Sequence, residues 1–315
     1  MYLNDISSLP KDIVSLDYLI YLVFVLTSFF AYRHGHVVLI IAFTLLAVSI
    51  EQASIQLAST HCHADALVML SKCSSLNSIL FYAPWIYLSL FAAPYFRLPW
   101  WATPSAVALL QFLYGITYEL QGPTLKYWRY TDDLDTAEGA LRERWYEMPM
   151  MALYFHPVMG AAIQLAMTCA GYSVAQTQKG FGQYVRMFLA LALVVPFAFA
   201  FGFPVDTFIR LGISRYFVVP VCCFLLFLLP LLLSLPSRGA SVTLRPLSVF
   251  DRSFALFIVG VWQSYFLSRF HFDVRGQLVD DNLHFILSAL SLVSVVVFWA
   301  AFSSAPFPMS VEMKK

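Results

Sequence analysis

Two glutamates and a histidine inside strongly apolar stretches are the side chains best suited to chemistry: Glu51, Glu119 and His156. An ionised carboxylate in hydrocarbon costs about 2.5–3.5 kcal/mol on insertion scales, so such residues are usually partnered and functional. A carboxyl group whose pKa is raised by burial can donate a proton, and a second carboxylate or an imidazole can accept one. We therefore predict acid–base chemistry with these three as catalytic residues. The alternative for Glu51 is a protonated or salt-bridged side chain that fastens two helices.

The residues around these three are predicted to bind the substrate. Residues 114–130 read YGITYELQGPTLKYWRY, and Gly122-Pro123 ends the helix that carries Glu119. The ring-rich stretch that follows has the composition of a boundary between hydrocarbon and water. A second contribution comes from the first turns of the segment near 75–93. The predicted substrate-binding residues are Asn77, Tyr82, Trp85, Trp128 and Arg129.

A second cluster, residues 60–65 with the sequence THCHAD, has the imidazole, thiol and carboxylate types that suit zinc. His61 and His63 point in different directions on a helix and to one face only on an extended strand. Because no H-E-x-x-H or paired C-x-x-C accompanies them, the sequence favours a polar loop without a metal. The metal-ligand alternative rests on His61, Cys62 and His63. Cys62 and Cys73 either pair, if their loop faces an oxidising compartment, or stay reduced.

Several common cofactor and catalytic motifs do not occur in the sequence. It has no G-x-G-x-x-G, no G-x-x-x-x-G-K-[ST] and no G-x-S-x-G. We therefore predict no nucleotide or dinucleotide cofactor, and no other cofactor is indicated. A formal net charge of +1 without a basic run also gives no reason to expect a nucleic-acid partner.

The elements that must position these residues are membrane-spanning helices. The 315 residues are 60% hydrophobic and 12% charged, with a mean hydropathy of +0.73, against roughly 25% charged residues in a soluble domain. This composition excludes a soluble fold and predicts an all-α, polytopic transmembrane helical bundle that forms one domain over residues 1–315. Hydropathy places nine helices, with a range of seven to nine. The segments are 17–32, 36–58, 75–93, 100–120, 149–170, 183–203, 213–234, 252–268 and 282–303.

Helix direction converts sequence position into depth. Helices 36–58 and 100–120 run towards the same side, so Glu51 lies about 10 Å below the exit and Glu119 almost at it. The helix at 149–170 starts on that side, which places His156 about 10 Å in. At this depth Glu51 should be neutral at pH 7 unless a cation reaches it. The opposite half is apolar, which predicts a pocket open to one side above an apolar floor instead of a through-going path.

The distribution of basic residues predicts the orientation of the chain. The odd-numbered connections and the C-terminal tail carry basic residues opposed only by Asp251 and Glu312. By the positive-inside rule, the C-terminus is cytoplasmic and the N-terminus lies outside. The longest connection, 121–148, carries both signs of charge and lies on the outer side. The basic residues are Arg33, Arg97, Lys179, Arg186, Arg238, Arg245, Arg252, Lys314 and Lys315.

A series of features in the first half of the chain resembles the carotenoid-synthesis membrane hydratase family, which includes the bacterioruberin-precursor hydratases. These features are, in chain order, Glu51, Pro84-Trp85, Glu119 with Gly122-Pro123, Trp128-Arg129-Tyr130 and the YEMP sequence at 146–149. Gly122 stands where the family has its second acid. The resemblance implies a related helical architecture and hydration of an alkene, in which an acid protonates carbon and a base activates water. Glu51 as the proton donor and Glu119 would divide these roles.

These observations predict a membrane protein that binds or modifies an apolar lipid, isoprenoid or unsaturated, by acid–base hydration. A membrane lipid or apolar small molecule is the expected partner. The 17% aromatic content fits such a pocket and fits interfacial belts equally. Two alternatives remain open: a small-molecule transporter or receptor whose polar residues line a vestibule, and a non-catalytic subunit of a membrane assembly.

Overall fold

The computed structural model describes residues 2–57, 61–130, 143–146, 148–174, 181–234, 246–269 and 281–305. Within these ranges the chain is almost entirely helical. Parts of the predicted 121–148 connection and several of the charges used to predict orientation lie outside the described residues. These are residues 131–142 and 147, and Lys179, Arg238, Arg245, Glu312, Lys314 and Lys315.

The described residues contain a helix at each of the nine positions that hydropathy predicts. A π-helical turn, Ala53–Leu57, extends α2, and a second one, Phe224–Leu228, joins α7 and α8 into one continuous rod. The helices are α1 (Lys11–Arg33), α2 (Val37–Gln52), α3 (Leu76–Ala92), α4 (Thr103–Thr124), α5 (Met150–Cys169), α6 (Gly182–Arg210), α7 (Arg215–Cys223), α8 (Leu229–Ser234), α9 (Val249–Arg269) and α10 (Asp281–Ser303).

Seven of the rods in the described part of the chain are long and apolar enough to cross a membrane. The other two, α4 and α9, contain more polar side chains, which lower their mean hydropathy. The prediction of an all-α bundle in a multi-pass membrane protein is confirmed. Seven is the lower limit of the predicted range of spanning helices.

Helices α3 and α4 form the centre of the bundle and bury most of their side chains. The indole nitrogen of Trp85 on α3 donates to the carbonyl of Gln111 on α4 at 2.6 Å. The indole nitrogen of Trp262 on α9 donates to the carbonyl of Tyr114 on α4 at 3.0 Å. A buried N–H needs a partner, so these bonds fix how α3 and α9 lie against α4. Helix α5 packs on another side of α4, and α6 packs against α5.

Short antiparallel strand pairs gather several connections at one end of the bundle. In the described residues β1 (Tyr2–Leu3) pairs with β3 (Val68–Met69), β2 (His61–His63) with β4 (Trp128–Tyr130), and β5 (Arg144–Trp145) with β6 (Met148–Pro149). The N-terminus, the connection after α2 and the connection after α4 therefore meet at the same end. Helix direction predicts this arrangement, and this end also holds Glu51 and Glu119.

Charged groups also occur at the opposite end, where α1 ends and α9 begins. Arg33 Nη2 lies 3.3 Å and His34 Nε2 lies 3.7 Å from Asp251 Oδ1. His36 Nδ1 lies 3.0 Å from the hydroxyl of Tyr87. These groups connect neighbouring helices near their ends. The half of the bundle opposite Glu51, which was predicted to be apolar, is therefore apolar in its interior and charged at its helix ends.

A disulfide between Cys62 and Cys73 closes the loop that leads from β2 towards α3. The sequence left pairing and reduced thiols as alternatives, and the structure has the paired form. The bridge fixes β2 from one side while β4 pairs with it from the other. The Cys62 sulfur is bound in the disulfide, so it is not available to a metal in this structure.

Removing this disulfide should destabilise the protein by about 3 kcal/mol, because the bridge links two residues 11 positions apart and so restricts the unfolded chain. The Cys62→Ser/Cys73→Ser double variant should unfold at a lower temperature in detergent micelles, followed by tryptophan fluorescence. Cys169→Ser is the control, since Cys169 is a free, exposed thiol. If the double variant unfolds at the wild-type temperature, the bridge does not stabilise the fold.

Candidate functional site

The antiparallel pair β2–β4 positions two imidazoles and two rings on one face. His61 pairs with Tyr130, Cys62 with Arg129, and His63 with Trp128. Side chains alternate between the faces of a strand, so His61 and His63 share a face and Cys62 lies on the other. The extended backbone is the condition under which the sequence predicted that the two histidines could act at one site.

Glu51 lies in the last turn of α2 and is 1% exposed. Its Oε1 is 2.7 Å from His63 Nε2 and 3.4 Å from His61 Nε2. The sequence predicted a neutral Glu51 unless a cation reaches it. Two imidazoles, which are able to carry a positive charge, contact this carboxylate, so the structure corresponds to the exception. Helix α2 and strand β2 supply the parts of this first cluster.

Glu119 lies near the end of α4 and forms the second cluster. Its Oε1 is 2.7 Å from His156 Nε2 on α5, and its Oε2 accepts a hydrogen bond from the Tyr130 hydroxyl at 2.9 Å. The indole of Trp85 packs against the His156 ring with centroids 4.3 Å apart. The predicted catalytic pair Glu119 and His156 is thus brought together in a buried site.

Both clusters adjoin one cavity at this end of the bundle. The cavity holds about 300 Å³ of empty space, a figure that includes open solvent, so its enclosed part is small. The enclosed part has room for water or a small polar group. The lining residues are His61, His63, Ser78, Tyr82, Tyr118, Glu119, Trp128 and Tyr130.

The two carboxylates therefore lie beside the same cavity and do not point to separate sides of the bundle. Glu119 lines the cavity directly, and Glu51 reaches it through His61 and His63. The Tyr82 hydroxyl lies within electrostatic range of both carboxylates. Burial and the Glu119 carboxylate raise the pKa of Tyr130 well above its ordinary value, so this hydroxyl stays protonated and acts as a donor.

The predicted substrate-binding residues have three different positions relative to the cavity. Tyr82 and Trp128 line the cavity. Trp85 lies behind it, with its nitrogen bound to a backbone carbonyl. Asn77 and Arg129 fall outside the described lining. Asn77 donates to the buried Asp17 of α1, and Arg129 is exposed on the other face of β4.

Three lining residues belong to none of the predicted catalytic, substrate-binding or metal-ligand sets: Ser78, Tyr118 and Tyr130. Tyr130 carries a signal that the sequence contains, because it follows Trp128 by two residues and so shares its face of an extended strand. Tyr118 precedes Glu119 on α4, and Ser78 follows Asn77 on α3. Neither position can be assigned to the cavity until the helix rotations are known.

Gly122 is required by the close packing of Trp128. A Cβ atom at position 122 would lie 1.8 Å from Trp128 Cη2. Trp128 is buried and forms one wall of the cavity.

Gly122→Ala should destabilise the fold by about 1–3 kcal/mol, because the added methyl group must displace a buried ring. It should also change the tryptophan emission spectrum. Gly202→Ala is the matched control, since Gly202 is helical with nothing within 4 Å of the added Cβ. Thermal unfolding in micelles compares the two, and equal unfolding temperatures would show that Trp128 does not occupy this position.

A family profile described as a domain of unknown function, DUF7802, matches residues 5–237. This range contains every residue of the two clusters and of the cavity lining, and it ends before α9. Comparisons with curated proteins and with solved structures found no match.

Proposed function

We propose a function for this chain, which belongs to the DUF7802 family, from the geometry of its own cavity. The protein is an integral membrane enzyme that adds water to, or removes it from, the polar or unsaturated end of an apolar lipid by acid–base catalysis. One observation carries the proposal: two carboxylate–imidazole clusters, Glu51 with His61 and His63 and Glu119 with His156, converge on the same buried cavity.

The contacts favour Glu119 as the proton donor. Glu119 and His156 can share one proton between atoms 2.7 Å apart, and Glu119 is the member of the pair that lines the cavity. Tyr130 holds the other carboxylate oxygen and fixes its direction. The proton passes from Glu119 to one carbon of a double bond, which leaves a cationic carbon beside it.

The cluster on β2 favours a role in holding water. Water beside Glu51, His61 and His63 adds to the cationic carbon through its oxygen and gives its proton to this group. One proton leaves Glu119 and one is taken up at the first cluster. Proton exchange with water in the cavity then restores both groups, so the net reaction adds one water molecule to the lipid. This assignment reverses the roles that the sequence suggested for Glu51 and Glu119, because two imidazoles contact Glu51.

An apolar crevice on the same helices supports an apolar substrate. Its lining includes Leu39 and Phe43 of α2, Ile163 of α5 and Val194 of α6. Phe43 precedes Glu51 by eight residues, which is about 12 Å along a helix. A lipid tail that packed along this apolar lining would lead towards the cavity end of α2, and the resemblance to carotenoid hydratases supports the same class of substrate.

We further propose that the cavity faces the non-cytoplasmic side, with the C-terminus cytoplasmic. The excess of basic residues in the odd-numbered connections supports this orientation. The Cys62–Cys73 disulfide at the cavity end supports it as well, because disulfides persist in oxidising compartments. A C-terminal epitope tag should be protected from protease added outside intact cells, and cleavage of that tag would reverse the orientation.

Comparison of lipid extracts tests the proposed reaction. Cells that express the wild-type chain should contain lipid species that differ from those of the empty-vector strain by the mass of one water molecule. The strain expressing Glu119→Gln, at equal protein abundance in the membrane, should match the empty-vector strain. If all three extracts are identical while a lipid co-purifies with the protein, the chain is a binder, as the receptor alternative requires.

A further inference from the structure

We propose that Glu51, His61 and His63 bind a divalent transition-metal ion, zinc by preference, at the wall of the cavity. Two imidazoles and one carboxylate are a donor set found around zinc and ferrous iron. The sequence favoured a polar loop here because neither the extended backbone nor the third ligand was visible in it. The structure supplies both, since β2 is a strand and Glu51 lies against it.

The donor atoms lie at distances that suit one ion. His63 Nε2 and His61 Nε2 are 2.7 and 3.4 Å from Glu51 Oε1, and one donor atom from each of the three residues lies within 4.8 Å of the others. Donors of a tetrahedral zinc ion at 2.0–2.1 Å must be roughly 3.4 Å from one another. Changes of about 1 Å in side-chain positions would bring all three to that spacing.

The His63 imidazole lies against Glu51 without an aligned hydrogen bond. Its side chain is 8% exposed, and its Nε2 is 2.7 Å from Glu51 Oε1 but lacks hydrogen-bond geometry. A metal ion between this nitrogen and the carboxylate would bind both groups.

The backbone holds the two histidines in place before any ion binds. β2 pairs with β4, the amide of His63 donates to the carbonyl of Cys73 at 3.1 Å, and the amide of Ala64 donates to the carbonyl of Tyr127 at 2.8 Å. The Cys62–Cys73 disulfide closes the same loop. Ligands that are fixed in this way lose little conformational freedom on binding, which favours a defined site.

The charges of the site suit a doubly charged ion. The Glu51 carboxylate contributes one negative charge in contact with both imidazoles. This charge would offset part of the charge of a divalent ion, which reduces the cost of burying it. Zinc is favoured over ferrous iron because it has no redox chemistry and the neighbouring disulfide indicates an oxidising compartment.

His61 and His63 line the cavity, so the fourth position of a tetrahedral ion would open into it. Three protein ligands and one open position are the arrangement of catalytic zinc sites, where zinc lowers the pKa of bound water. That role for the ion rests on the proposed function. Metal binding itself does not depend on which reaction the protein performs.

Metal content of the purified protein tests the site. The wild-type chain, expressed with added zinc and freed of excess metal by gel filtration in detergent, should contain about one zinc per chain by inductively coupled plasma mass spectrometry. His61→Gln/His63→Gln should contain at least about tenfold less. Glu119→Gln is the matched control, because it changes the same cavity without removing a ligand, and it should keep its zinc.

Cobalt provides a readout that needs no variant. Metal-free wild-type protein titrated with Co²⁺ should develop the visible absorption of a four-coordinate ion and lose it when Zn²⁺ is added. Wild-type protein without metal and without a cobalt spectrum would overturn the site, as would a double variant that keeps its zinc. Zinc in the wild type without any lipid product would leave the site standing and remove the proposed reaction, and a lipid product from a chain that binds neither zinc nor cobalt would do the reverse.

Discussion

Replacing Glu119 with glutamine should lower the rate of lipid conversion by about 10²- to 10⁴-fold, the usual contribution of a general acid. The variant keeps the size of the side chain and can still accept a hydrogen bond from Tyr130. It can also hydrogen-bond with His156 through its amide. It cannot hold or transfer a proton, so the chemistry should be lost while the bundle stays folded.

Product formation in isolated membranes, normalised to protein abundance, measures this effect. Glu143→Gln is the matched control, because Glu143 lies at the same end of the bundle and is bound by Ser214 and the amide of Arg215 outside the described cavity lining. It should convert lipid at the wild-type rate. Equal rates for the two variants would exclude Glu119 as the proton donor.

Glu51→Gln should fold and accumulate normally while losing both lipid conversion and bound zinc. The sequence distinguished a catalytic Glu51 from one that fastens helices. Loss of a fastener leaves a buried cation and costs roughly 3–5 kcal/mol. Glutamine keeps the size of the side chain and can still hydrogen-bond to the imidazole nitrogens of His61 and His63. Stability should therefore change by much less than that amount.

Four measurements separate these outcomes for Glu51→Gln: abundance in the membrane, thermal unfolding in micelles, zinc content and lipid conversion. Normal abundance with zinc and activity both reduced is the expected result. A variant that fails to accumulate would identify Glu51 as a structural fastener. Retained zinc with lost activity would leave Glu51 in the reaction but exclude it as a ligand.

The sequence alone determined the membrane class, the positions of the helices and the end at which the acids meet. Hydropathy is a local property, because each span must bury its own length in hydrocarbon. The nine predicted segments therefore coincide with the helices of the described residues. Helix direction then placed Glu51, Glu119 and His156 at one end without any knowledge of packing, since successive spans alternate in direction.

Only the tertiary structure decided which side chains meet. His61 and His63 face the cavity because β2 pairs with β4. Nothing in the THCHAD sequence indicates that this segment pairs with Trp128-Arg129-Tyr130. The same pairing brings in Tyr130 and directs Arg129 outwards, while helix rotation assigns Asn77 to Asp17. Strand pairing and helix rotation depend on contacts between distant segments. A one-residue change of register would reverse every face, so composition and spacing could not decide them.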